Sequence, residues 1–126
     1  MDLSEIKPVE RMIDIIHPST GEEVGLKVTV VSIDDERLKR VKRKIQDESI
    51  RLQNKNKSFK AEDIEDNRLK LVFAAMTSWQ WVGEATFHGE KPEFNLKNVK
   101  ELFKELPWVQ EQIENEVSDQ AAFFTI

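Results

Sequence analysis

With 126 residues, no cysteine and 34% charged against 39% hydrophobic side chains, the chain has the size of one domain and the composition of a charge-rich, mainly helical soluble protein. The missing cysteines exclude a disulfide framework, a thiolate metal site, a cysteine nucleophile and thiol redox chemistry. No apolar run approaches the roughly 18 residues of a spanning helix and no apolar signal-peptide region follows Met1, so no membrane role and a cytoplasmic location are expected.

The net charge of −5 is unevenly spread. From Arg37 to Lys60 ten Lys and Arg face only Asp47 and Glu48, a local charge of +8 that leaves −13 for the rest of the chain. One strongly basic segment thus sits inside an acidic protein.

After a polar start, "VERMIDIIHPSTGEEVGLKVTVVSID" reads as two strands about a turn, a hairpin over about 9–33. Val9, Arg11, Ile13 and Ile15 alternate with Met12, Asp14 and Ile16, and Leu26, Val28 and Val30 alternate with Lys27, Thr29 and Val31. Pro18 and Gly21 suit the intervening turn. Ser32 with Asp35 three residues on resembles a capping box, and Leu38, Val41, Ile45 and Leu52 form a narrow apolar stripe, which predicts a largely solvent-facing helix over about 34–54. "NKNKS" breaks the pattern. A second helix is expected over about 61–81, with Ile64, Leu69, Val72, Phe73, Met76 and Trp79 on a broad apolar face, making it the most buried helix.

Gly83, Gly89 and Pro92 mark a loop. Asn95 is placed to cap a short helix over about 96–106, and Pro107 fits the first turn of a last helix over about 107–122, whose Trp108 or Val109, Ile113, Val117 and Ala121 share one side. The whole is one α+β domain, mainly helical: an N-terminal β-hairpin followed by about four α-helices.

Catalytic and metal motifs are missing from the sequence. His17 and His88 fall in loops without ligand spacing, and there is no H-E-x-x-H, G-x-G-x-x-G, P-loop or G-x-S-x-G. Glu62, Asp63, Glu65 and Asp66 read as a solvated first turn favoured by the helix dipole. No enzyme, no cofactor and no metal are expected.

The basic run Arg37, Lys39, Arg40, Lys42, Arg43 and Lys44 is a charged interaction face in this reading. It could follow a phosphate backbone, yet no aromatic residue is interleaved for base stacking and the remaining −13 repels nucleic acid. A solvated face, or one for an acidic protein partner such as the acidic last helix of a second copy, is preferred.

Tryptophans are common in cores and at binding hot spots. On a helix Trp79 and Trp81 cannot share a face, so Trp79 is assigned to the core and Trp81 to a half-exposed anchor. Trp108, Phe123 and Phe124 complete a set of candidate protein-binding residues, with Trp108 expected to matter for stability as well.

The order of these elements resembles the tail assembly chaperones of long-tailed, lambda-like bacteriophages. The resemblance runs from about Val9 to Phe124. It rests on the turn Pro18-Ser19-Thr20-Gly21, on the tryptophans ending the central helix, on Phe94-Asn95, and on the ending Pro107, Trp108, Gln112, Ile113, Asp119, Phe123 and Phe124. Ser19 inside the turn and the basic stretch Arg37–Lys44 depart from the family pattern.

The resemblance implies a non-enzymatic protein of the host cytoplasm, absent from the mature virion. Its partners would be the tape measure protein and, through a frameshifted longer form, the tail tube protein, with self-association also open; this chain would be the short form. A small nucleic-acid-binding protein using the basic helix and a structural virion subunit are the alternatives.

Overall fold

Two-residue alternation in the N-terminal third becomes an antiparallel hairpin, β1 (Arg11–Ile16) and β2 (Glu23–Val30), in the computed structural model, which describes residues 1–124. Thr125 and Ile126, the last part of the apolar ending, lie outside the described residues. Ile13 and Ile15 on β1 and Leu26, Val28 and Val30 on β2 point into the core, while Met12, Asp14 and Ile16 face outward. On the outer face Lys27 bonds Asp14 across the strands at 2.9 Å, and that carboxylate holds the lysine above its ordinary pKa. In the turn, His17 Nδ1 accepts the Ser19 and Thr20 backbone N–H groups, and Gly21 takes the positive φ of 73°.

The second helix differs from the expected 61–81. It stops early: α2 spans Ala61–Ala75, and Met76–Trp81 form a third strand, β3, which pairs antiparallel with β2 to give the sheet order β1-β2-β3. Helix passes into strand without a loop, since Met76 already has extended angles (φ −90°, ψ 134°). The physical reason is tertiary. "MTSWQW" holds Thr and Trp, which fit a pleated surface, and β2 supplies an otherwise unpaired row of backbone groups. Val31 N–H donates to Ala75 O at 2.8 Å and fixes the junction.

The change of period reverses the rule applied to the two tryptophans. In a strand, residues two apart lie on the same face. Trp79 is buried and Trp81 half-buried beside it, their rings edge to face at 5.6 Å.

The first helix, α1, spans Glu36–Asn54, and its N-cap is Asp35, whose carboxylate accepts the Arg37 N–H at 2.9 Å. Ser32 does not cap it. Its side chain is buried and its Oγ accepts the Asp34 N–H in the turn before the helix. The third helix, α3 (Leu96–Glu105), starts at Asn95, whose side chain accepts the Asn98 N–H at 2.8 Å, and the fourth, α4 (Pro107–Ser118), carries Pro107 in its first turn, both as expected. The ending differs: α4 stops at Ser118, and a 3-10 turn, Gln120–Phe123, replaces its last residues.

One cluster of buried side chains draws on every strand and every α-helix. Of its members α3 and α4 contribute Val99, Leu102, Phe103, Val109, Ile113 and Val117. By contrast α2 buries only Val72 and Ala75, and Ile64 on its expected apolar face is 58% exposed. It is therefore not the most buried helix. The architecture is α+β, mainly helical, with an antiparallel three-stranded sheet in place of an isolated hairpin.

Candidate functional site

A 3-4 spacing of apolar residues gives a helix one stripe to bury, and on α1 that stripe is Leu38, Val41, Ile45 and Leu52. Its principal neighbour is α2. Leu38, at the base, is fully buried, whereas Val41, Ile45 and Leu52 remain half-buried farther along. The two helices leave a surface cleft of ≈ 710 Å³, floored by these three side chains with Phe59, Phe73 and Ala74, and lined also by Leu96. Asp63, Asp66, Asn67 and Lys70 of α2 and Lys44 and Glu48 of α1 form its rim. On the opposite flank of the pair lies a smaller hollow of ≈ 350 Å³ where Ile45, Phe59, Ile64 and Leu71 meet Arg68 and Glu114.

The three acids of the rim are already engaged. Glu48 accepts from Arg51, one turn on, and this hydrogen bond holds its carboxyl below the usual range, with smaller help from the charges of Lys55 and Lys70. Asp63 accepts the Lys60 backbone N–H at 3.0 Å and so caps α2, and Asp66 faces Lys100 at 3.9 Å. Among the described residues Lys44 and Lys70 have no carboxylate within ion-pair distance. With Glu48 and Asp66 paired to cations, Lys44 and Lys70 outnumber the one remaining lining carboxylate, Asp63, whose charge the backbone N–H does not cancel.

The six basic residues Arg37, Lys39, Arg40, Lys42, Arg43 and Lys44 are all exposed on α1, but they do not form one face. Arg43 is bonded to Glu36 at 2.7 Å and Arg37 lies 3.8 Å from Asp35. Lys44 stands on the cleft, and Lys42 stands on the other flank beside Ile33, Leu38 and Leu71. The helical turn distributes what the sequence runs together.

The four aromatic candidates are scattered as well. Trp81 closes β3, and its buried Nε1 has no partner among the described residues. Trp108, in the first turn of α4, is half-buried against the core. Phe123 is 0% exposed, so the expectation that its ring meets a partner is corrected: it is a core residue. Arg11 lies over it at 5.3 Å and bonds Glu116 at 2.9 Å, while the Phe123 carbonyl accepts the Val9 N–H at 2.8 Å. Of the set, Phe124 alone is classed as exposed, at 41%.

Sequence reasoning passed over Phe59 and Leu96 and placed Phe73 in the core. Phe59 follows the "NKNKS" break, where no period exists to read. A signal was nonetheless present: the stripe of α1 is narrower than the apolar face of the next segment, so part of that face had to stay uncovered. Phe73 in fact stacks on Phe94 at 5.3 Å at the edge of the cleft, and Phe94 in turn meets Trp79.

Among the described residues no group of three or more His, Asp or Glu side chains is disposed to hold a metal ion. Compared with protein-family models, curated proteins and solved structures, the chain matches none.

Proposed function

We propose that the protein is a non-enzymatic assembly factor that holds an apolar helical segment of a partner protein in the cleft between α1 and α2. The observation that carries this reading is the cleft itself, an apolar floor with a charged rim between two helices, which is the form that helix-in-groove recognition takes. The resemblance drawn from the turn Pro18–Gly21 and the ending Pro107–Phe124 supports the narrower reading, a tail assembly chaperone of the lambda-like kind. Its partner is then the tape measure protein, a long helical chain with apolar stripes, to which tail tube subunits are recruited in the host cytoplasm.

Co-expression tests the reading directly. The cognate tape measure protein stays soluble beside this chain, and an Ile45→Glu variant, which puts a charge on the cleft floor, loses that effect while keeping its circular dichroism spectrum. Equal precipitation of the tape measure protein with and without the folded chain sinks the proposal. Mass spectrometry of purified virions provides a second check, because an assembly factor is missing from the finished particle and a structural subunit is not.

A further inference from the structure

The cleft also states what kind of helix it takes. Resting on the protein-binding reading above, we propose that the α1–α2 cleft selects an acidic amphipathic helix, one whose apolar stripe is flanked by carboxylates that meet Lys44 and Lys70. The argument is one of charge complementarity. Five charged side chains line the cleft, and the three carboxylates among them are engaged: Glu48 by Arg51, Asp63 by the backbone at the start of α2, Asp66 by Lys100. Lys44 and Lys70 stand on the two opposed helices with no carboxylate within ion-pair distance among the described residues, the charge of Lys70 reaching Glu48 only at longer range.

Placed on either wall, these ammonium groups flank the apolar floor of Val41, Ile45, Leu52 and Phe59. A helix lying along that floor carries the positions that flank its apolar stripe past both walls. Carboxylates there are attracted on both sides; lysines there are repelled on both sides. A nucleic acid satisfies the two lysines but leaves the apolar floor unfilled.

The test uses the full chain and two designed helical peptides of about 20 residues, long enough to hold helical structure, with the same leucine stripe flanked by Glu in one and by Lys in the other. Fluorescence anisotropy measures binding at low and high salt. Each exposed ion pair contributes little alone, so the discrimination comes from two attractions set against two repulsions. The Glu peptide is expected to bind about tenfold tighter at low salt, with the gap narrowing as salt screens the pairs.

The double variant K44E/K70E, at two exposed positions, is expected to prefer the Lys peptide. Equal binding of the two peptides, an unchanged preference in K44E/K70E, displacement of the Glu peptide by duplex DNA, or a doubling of mass that excludes the peptide would each overturn the assignment. If neither peptide binds while co-expression still keeps the tape measure protein soluble and Ile45→Glu abolishes that effect, the charge selection fails and the function proposed above stands. If the Glu peptide binds as described but co-expression has no effect, the cleft assignment stands and the tape measure partner falls.

Discussion

Truncating Phe123 to alanine is expected to cost about 3–5 kcal/mol of stability, the usual range for a fully buried phenylalanine, whereas truncating its neighbour Phe124 costs within about 0.5 kcal/mol. The contrast comes from adjacent residues of the same type. Phe123 has no exposed surface, and burying a ring of roughly 150–250 Å² at about 25 cal/mol per Å² gives about 4–6 kcal/mol as an upper bound, because the unfolded chain already hides part of that area. More than the ring is involved: Arg11 packs over it at 5.3 Å, and the Phe123 carbonyl holds the N-terminal segment through the Val9 N–H. Phe124, at 41% exposure, already keeps a substantial part of its surface in water, so its truncation uncovers far less. Urea unfolding followed by far-ultraviolet circular dichroism measures both losses, and thermal melts should separate the variants by roughly 10–20 °C. Phe123→Leu, which keeps an apolar side chain in the site, should recover most of the stability. A loss below about 1 kcal/mol for Phe123→Ala, or an equal loss for Phe124→Ala, would refute the placement of the C-terminal turn in the core.

Gly25 has φ of 91°, and a Cβ there would come within 2.6 Å of the Ala85 Cβ and 3.0 Å of the Val82 carbonyl. Gly25→Ala should lose about 1–3 kcal/mol in urea unfolding, more than Gly21→Ala, whose Cβ meets nothing within 4 Å; equal losses would mean that conformation alone, and not the close approach of the 82–85 loop, governs the site. Gln112 lays its amide against the outer edge of β1, accepting the Ile16 N–H at 3.0 Å and donating to the Ile16 carbonyl at 2.8 Å. Gln112→Ala should cost about 1 kcal/mol and speed hydrogen exchange at Ile16, and unchanged exchange there would show the edge is protected by something else. Hydrogen exchange read by mass spectrometry should find Ile45–Asn54 of α1 exchanging well before Val109–Val117 of α4, with protection of α1 rising when a helical peptide fills the cleft; simultaneous exchange of the two helices would contradict the distribution of buried residues.

Local signals were legible where one residue decides the structure. Asn95 and Pro107 each announce a helix start that the backbone adopts, because a capping carbonyl and a missing N–H act within one turn. The hairpin was legible for a similar reason, its alternation matching the buried Ile13, Ile15, Leu26, Val28 and Val30. The end of α2 was not legible. From Leu69 to Trp81 apolar residues are dense enough to satisfy a helical and a strand period at once, and the choice is made by β2, more than forty residues away in sequence, which offers its edge to Met76–Trp81. The same cause hid the site: with α2 taken to be the most buried helix, Phe73 had to be core, and no uncovered floor remained for α1 to share. The basic run was legible as composition and not as a surface, since Glu36 and the helical twist divide Arg37–Lys44 among different neighbours.

The distribution of burial separates a part of the molecule that holds the fold from a part that contributes little to the core. The sheet, α3, α4 and the C-terminal turn supply most of the fully buried side chains, and they are cross-tied through Gln112 to Ile16, Val9 to Phe123 and Ile33 to Val117. By comparison α1 is 19 residues long, buries Leu38 alone completely and leans chiefly on α2. A helix so placed adds little to the core, and its length far exceeds what anchoring Leu38 requires. What the extra turns do is hold Ile45 and Leu52 opposite Phe59 and Phe73 with Lys44 and Lys70 on the walls. Those apolar side chains stay half in water in the free protein, so a partner that covers them gains burial without first disrupting the core.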